Sequence, residues 1–285
     1  NMNKAFGIVN FAGNHIQVDG LQAYRPVGAF SFLGRYRTID FPISNMSNSG
    51  IDNIQVYVRR KPRSLTEHLG TGRHYNINSK RGQLNIMYTE NNRIGDIYST
   101  DVAAYIENMD CIERIHLPYV VIAPSYMVYT ADYSTFLSEH IESGADISMM
   151  YHSVDNAKEA FLNCSTLNIN KQKGVLSIEQ NHGNAKNKNI SMDTYVMSKD
   201  LFIDLVKKAH KTSSMYTFAD ILNEECENLD IRAVSHRGYF AAICDFNSYY
   251  HANMDLIDLK HASDLFSPDW PIYTRTNDSC PTQYF

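Results

Sequence analysis

Apolar residues along this chain fall into two kinds of pattern. Short unbroken runs, at Phe6-Gly7-Ile8-Val9-Asn10-Phe11, Ile54-Gln55-Val56-Tyr57-Val58 and Tyr119-Val120-Val121-Ile122-Ala123, read as buried strands. Further strands are predicted over 147–151 and over 194–197, the latter after a polar loop rich in Asn, Lys and Gly. Between the runs lie helical periods. Tyr133, Phe136, Leu137 and Ile141 recur at i, i+3, i+4 and i+8, the apolar stripe of an amphipathic helix. Helices are also predicted over 39–48 with Gly50 as the C-cap, over 64–69 with Ser64 as the N-cap, over 101–113, around Leu201, Phe202, Leu205 and Val206, and over 218–223. Strand, helix, strand at this cadence predicts an α/β fold of Rossmann-like kind, a mostly parallel sheet with helices on both faces. Such sheets bind ligands in the crevice beyond the carboxyl ends of their strands. No internal repeat or long low-complexity segment interrupts the pattern.

Composition narrows the picture. A length of 285 residues allows one large α/β domain or two small ones, and 44% hydrophobic residues suffice for a buried core. No apolar run reaches the roughly 18 residues that suggest a membrane span. The start of the chain, Asn1-Met2-Asn3-Lys4, lacks the apolar stretch of a signal peptide. Net charge is −5, with both signs interspersed, which argues against a nucleic-acid surface because that needs clustered Lys and Arg. The five cysteines (Cys111, Cys164, Cys226, Cys244 and Cys280) form no C-x-x-C, so neither a zinc site nor a disulfide framework is indicated, and scattered thiols fit a cytoplasmic protein. The histidines form no H-x-x-x-H pair on a predicted helix, and most are expected at the surface or satisfied in the core.

The stretch Gly34-Arg35-Tyr36-Arg37-Thr38-Ile39-Asp40-Phe41-Pro42-Ile43-Ser44-Asn45, followed by Met46-Ser47-Asn48-Ser49-Gly50-Ile51, carries a family resemblance. So does His251-Ala252-Asn253-Met254-Asp255-Leu256 with Asp269-Trp270-Pro271-Ile272-Tyr273-Thr274. The chain resembles ADP-glucose pyrophosphorylases (glucose-1-phosphate adenylyltransferases) over essentially its whole length, and its Arg25-Pro26 pair and missing glycine loop further resemble their regulatory, GlgD-type branch. The resemblance implies a sugar nucleotidyltransferase domain, related to the GT-A fold, over 1–268. It implies that 269–285 begins the connection to a left-handed parallel β-helix, which this sequence does not contain.

Nucleotidyl transfer to a sugar phosphate needs groups that approach phosphates, cations that neutralise charge, and carboxylates that hold Mg²⁺. The resemblance allows each to be checked. Active relatives carry G-G-x-G-x-R-L after the first strand; here Asn10-Phe11-Ala12-Gly13-Asn14-His15-Ile16 lacks the paired glycines and the arginine. The lysine of K-P-A-x-P becomes Val27 in Arg25-Pro26-Val27-Gly28, with Arg25 read as an ion-pair residue or as a partial substitute. The first metal aspartate, in A-G-D-H-I-Y, becomes Tyr126, and a neutral phenol is a poor Mg²⁺ ligand. The second, in W-R-D-V-G-T, becomes Ala242, with Asp245 three residues away as a shifted alternative. The lysine of E-K-P becomes Gln180, while Glu179 keeps the acid that contacts sugar hydroxyls. The G-T-A-D segment corresponds to Thr100-Asp101-Val102-Ala103 and matches poorly. Losing one electrostatic stabiliser costs about a hundred- to a thousandfold in rate. The resemblance therefore implies a chain that is inactive or nearly so, with Asn10, Gly13, Arg25 and Glu179 left in a substrate-like crevice.

Basic residues supply the remaining candidates. Arg35 and Arg37 in the best-matched stretch, and the run Arg59-Arg60-Lys61-Pro62-Arg63, are candidate contacts for a phosphorylated effector. The alternatives are a bracing role for the first pair, with Asp40 and Asn45, and a solvated turn for the run. The resemblance implies a regulatory subunit that assembles with a catalytic glucose-1-phosphate adenylyltransferase, as a heterotetramer, in glycogen biosynthesis. It also implies no cofactor on this chain, Mg²⁺ being the catalytic partner's. Small phosphorylated metabolites are its expected ligands. Two rivals stay open: an active adenylyltransferase with relocated metal ligands, and a metabolite-binding protein that needs no partner. A metal-dependent glycosyltransferase is set aside, since no D-x-D occurs.

Overall fold

The structure, a computed structural model, describes residues 4–11, 31–32, 36–59, 63–70, 72–77, 82–88 and 100–274. Strand β1 (Ala5–Asn10) comes first, then a small ladder of β2 (Ser31–Phe32) against β3 (Tyr36–Arg37), which leads into helix α1 (Asp40–Asn48). Strand β4 (Asn53–Tyr57), helix α2 (Arg63–Leu69), a 3₁₀ turn at Arg73–Tyr75 and strand β5 (Gln83–Met87) follow. Helices α3 (Asp101–Glu107) and α4 (Met109–Glu113) precede β6 (Tyr119–Pro124), the short β7 (Met127–Val128) and helix α5 (Tyr133–Ser143). Then come β8 (Ile147–Val154), β9 (Ser165–Ile169), β10 (Val175–Gln180) and β11 (Lys188–Ser198). The described chain ends through α6 (Lys199–Thr212), α7 (Phe218–Glu225), β12 (Ile231–Ser235), β13 (Ala241–Ala242), α8 (Phe246–Asp255) and α9 (Leu259–Leu265).

The central sheet runs β10-β9-β11-β6-β1-β4-β5, with β8 pairing β11 and β12. The core of the sheet, β6-β1-β4-β5, is parallel throughout, which confirms the expected α/β architecture. Pairing turns antiparallel from β11 outward, and β8 to β12 is parallel again. Strands β1 and β6 read as unbroken apolar runs because both of their faces are covered. Phe6, Ile8, Val120 and Ile122 face one apolar cluster, with Tyr105 of α3, Phe202 of α6 and Phe218 of α7. Ala5, Val9, Val121 and Ala123 face the other, with Ile43 and Met46 of α1 and Phe136 of α5. A side chain at Gly7 would meet Met46 Sδ at 2.4 Å, so α1 lies directly on β1.

Several expectations need correcting. Helix 101–113 is two helices, broken at Asn108, whose side-chain amide donates to Ala104 O at 2.9 Å and competes with the helical ladder. Helix α2 starts at Arg63, so Ser64 lies inside it rather than capping it. In α5 the stripe continues at His140, not Ile141: His140 is buried and pairs with Ser148 Oγ at 2.8 Å, whereas Ile141 is 38% exposed. The polar loop expected before 194 holds a good deal of sheet. It contains β9, β10 and the first half of β11, whose half-exposed, mixed sequences are held by their neighbours rather than by apolar content.

Helix α1 anchors distant segments. Buried Asp40 accepts hydrogen bonds from Arg37 N (2.7 Å), His68 Nε2 (2.6 Å) and the Tyr75 hydroxyl (2.6 Å). Asn45 donates to Tyr129 O at 3.0 Å and accepts from Trp270 Nε1 at 2.9 Å, while Asn48 donates to Pro271 O. Residues 270–273 thus return to the first helix. Among the described residues no helix is long and apolar enough to cross a membrane.

Candidate functional site

Strands β1 and β6 end side by side, at Asn10 and Pro124, and a crevice of about 390 Å³ opens beyond them. Its walls come from Thr100, Asp101 and Tyr105 of the α3 region, Ser165 of β9, Glu179 and Gln180 of β10, Asp193 and Tyr195 of β11, and residues 217–220 at the start of α7. This is the position that parallel sheets offer to ligands.

Asp101 ties the floor together. It accepts from its own helix at Val102 N (2.8 Å), from α7 at Phe218 N (3.1 Å) and from the Asn10 amide (3.4 Å). Burial pushes its carboxyl up to about 6; these three hydrogen bonds pull it down, and the nearby Asp193 charge pushes the same way as burial. Asp193 sits in an irregular stretch of β11 with φ of 47°, a left-handed conformation that non-glycine residues rarely adopt. Its carboxylate accepts from the hydroxyls of Tyr126, Tyr195 (3.3 Å) and Ser191 (3.2 Å). Burial, with Asp193 beside them, holds both phenols well above their usual range. The hydroxyl of Tyr105, buried in the wall, has no hydrogen-bond partner.

The positions expected to matter are distributed unevenly. Asn10, Arg59, Tyr126, Glu179 and Gln180 all line the crevice. Arg59 stands 5.8 Å over the Phe11 ring, so this member of the basic run faces the crevice. Ala242 is buried in β13, whose pairing with β7 sets Ala242 opposite Met127. Ile243 N donates to Tyr126 O at 2.8 Å, so the two metal-aspartate positions of the resemblance are neighbours here. Asp245, the shifted alternative, is exposed and caps α8 by accepting from Ser248 N at 2.7 Å; it is not among the crevice-lining residues. Arg37 lies in β3, its backbone committed to Asp40. Gly13, Arg25, Val27, Arg35, Arg60 and Lys61 lie outside the described residues, as does the side chain of Arg63. Asp101 was passed over as a poor motif match, and Asp193 was not singled out at all. Their sequence neighbours give no sign of burial in a shared crevice.

Residues 8–258 match the nucleotidyl transferase family. The chain belongs to that family. A glucose-1-phosphate adenylyltransferase of Clostridioides difficile is 30% identical over 263 residues, covering 90% of this chain and 67% of that protein. The glycogen biosynthesis protein GlgD of Geobacillus stearothermophilus is 27% identical over 288 residues, covering 99% of this chain and 72% of that protein. A crystal structure described as a glucose-1-phosphate thymidylyltransferase of Bacillus anthracis superposes with a TM-score of 0.70 at 14% identity, covering 93% of this chain and 98% of that one, a likeness of fold.

Among the described residues of this nucleotidyl transferase, the two positions to which the resemblance assigns metal aspartates do not fit a Mg²⁺ site. A hard dication takes oxygen ligands, mainly carboxylates and water. Tyr126 offers a phenol already donated to Asp193, and Ala242 offers no ligand at all. Among the described residues no group of three or more His, Cys, Asp or Glu side chains is arranged to hold a metal ion. Around the crevice, Asp101, Glu179, Asp193 and Asp220 face a single described cation, Arg59.

Proposed function

We propose that this chain is the nucleotidyltransferase-like part of a regulatory, non-catalytic subunit that works beside a catalytic glucose-1-phosphate adenylyltransferase in glycogen biosynthesis. The observation that carries the reading is the pair Tyr126 and Ala242. Tyr126 lies just before β7 and Ala242 in the β13 strand that pairs with it, at the two positions to which the resemblance assigns metal carboxylates; a phenol that donates to Asp193 is a poor Mg²⁺ ligand and an alanine is none. The names of the relatives support the pathway: they include both an adenylyltransferase and a GlgD protein at similar identity. The role is then one of coupling. A subunit of this kind assembles with its partner, in a heterotetramer, and favours the partner's competent state, directly or through a phosphorylated metabolite. Arg59 is the described cation best placed for such a ligand. A cytoplasmic location goes with this role.

The test is pyrophosphate release from ATP and glucose 1-phosphate by the full-length protein, alone and mixed with the catalytic subunit. No turnover alone with stimulation of the mixture supports the reading. Mg²⁺-dependent turnover by the chain alone sinks it. A second reading, an active enzyme with relocated ligands, draws on Asp193, the carboxylate that stands at the crevice beside Tyr126. That reading requires turnover that Asp193→Asn abolishes.

A further inference from the structure

Two cysteines that are 80 residues apart in sequence meet in the core. The sulfurs of Cys164 and Cys244 lie 2.9 Å apart, both side chains are buried, and both are free thiols. Each is held from its own side. Cys164 follows a tight turn in which Phe161 and Asn163 have φ of 56° and 68°. Its carbonyl accepts from Asn181 N at 2.8 Å, and the Asn181 amide in turn donates to the carbonyls of Ala157, Ala160 and Phe161. Cys244 N donates to Ser248 Oγ at 2.8 Å, at the capped start of α8. The Phe161 and Phe240 rings stack between the two segments, with centroids 5.6 Å apart and planes 5° from parallel. The meeting of the sulfurs is therefore set by backbone and ring packing on both sides rather than by two long flexible side chains.

We propose that Cys164 and Cys244 are a disulfide-forming pair that reversibly fastens the β9–β10 wall of the crevice to the β13–α8 segment. Ser165, next in sequence to Cys164, lines the crevice, and Ala242 lies two residues before Cys244. The cross-link thus joins the β9–β10 wall of the crevice to the segment that follows β13. The oxidant is a small-molecule disulfide. One cysteine thiolate attacks a sulfur of that disulfide and expels one thiolate; the second cysteine thiolate attacks the mixed disulfide and expels the other. Two thiols become one cystine, and the two protons and two electrons leave on two molecules of small thiol. The hydrogen-bonded Cys244 neighbour, with burial, raises the Cys164 thiol's pKa and keeps it protonated, so exchange with the buried pair is slow.

The experiment incubates the full chain with oxidised glutathione, both in the native state and during refolding, then blocks remaining thiols and maps peptides by mass spectrometry. The expected product is a Cys164–Cys244 cross-linked peptide, with exposed Cys111 carrying glutathione instead. Closing a loop of this length raises the melting temperature of the oxidised chain by about 5–10 °C. Dithiothreitol abolishes the rise, and Cys244→Ser, which keeps a small polar side chain, never shows it. Cystine between any other pair, or only mixed disulfides even after refolding, overturns the proposal. So does a cross-link with no change in melting temperature, because the fastening would then constrain nothing.

Discussion

The Tyr126 hydroxyl donates to the Asp193 carboxylate across the base of the crevice, joining the turn between β6 and β7 to the irregular stretch of β11. The phenol and the carboxylate thereby satisfy one another. Tyr126→Phe removes one donor and leaves Asp193 with Tyr195 and Ser191. Hydrogen bonds to charged groups contribute about 1.5–3 kcal/mol. Urea unfolding of Tyr126→Phe at neutral pH is expected to show a loss in that range, with an unchanged m-value.

Restoring the carboxylates gives a sharper test. Because β13 pairs β7 and Ile243 N bonds to Tyr126 O, Tyr126→Asp with Ala242→Asp brings two new acids to one place. The double variant is expected to be less stable than the parent without metal, from repulsion that includes Asp193. Mg²⁺ should recover the loss, by about 2.7 kcal/mol at a hundredfold excess over its dissociation constant. Thermal melts with and without Mg²⁺ read this directly. A double variant indifferent to Mg²⁺ would show that the two positions no longer frame a metal site.

Asp101 gives the protein an acid-side preference. Its carboxyl titrates at about 6 when folded and at the ordinary 3.8 when unfolded, so between these values the folded state holds the extra proton. Stability from this group is therefore fully present below about pH 4 and declines as pH rises to about 6, by about 3 kcal/mol in all. Asp101→Asn should remove that decline. Denaturation at pH 4, 5, 6 and 7 compares the two slopes, and parallel profiles would refute the assignment.

His236 acts in the opposite direction. Its Nε2 must carry the proton, since it faces the Thr130 carbonyl at 2.9 Å, and its Nδ1 then accepts from His152 Nδ1 at 3.0 Å. Burial lowers its pKa from 6.5 to about 4, aided by His152, while the Thr130 contact works against the shift. The unfolded chain binds the proton more readily, so stability is present above about pH 6.5 and falls by about 3 kcal/mol as pH drops to about 4. The two groups offset one another over the same window. His236→Gln should expose the slope of Asp101, and Asp101→Asn that of His236.

Legibility in the sequence followed burial. Strands β1 and β6 were readable because both faces are covered and, but for Asn10 at the end of β1, every position is apolar. Helix α1 was readable from the family stretch that contains it. Strands β9 and β10 were not, since half their residues meet water and their strand character comes from pairing. The same limit applies to the site. Glu179 and Gln180 were found through a motif. Asp101 and Asp193, 92 residues apart, become one electrostatic unit only when α3 and β11 face the same crevice. The Cys164–Cys244 contact was likewise invisible in the spacing of the cysteines, which suggested no pairing at all.

Strand β11 makes four steps from Ser191 to Tyr195 where its neighbour β8 makes two, from Tyr151 to Met149. Asp193 lies in that surplus. Since successive side chains of a strand point to opposite faces, the surplus sets the phase of everything after it. Removing one residue there would turn Tyr195 away from the crevice and bring Val196 round in its place. Removing two would leave the phase intact but take the acid away with the kink that presents it. The acidity of this crevice is thus written in chain length as much as in residue type.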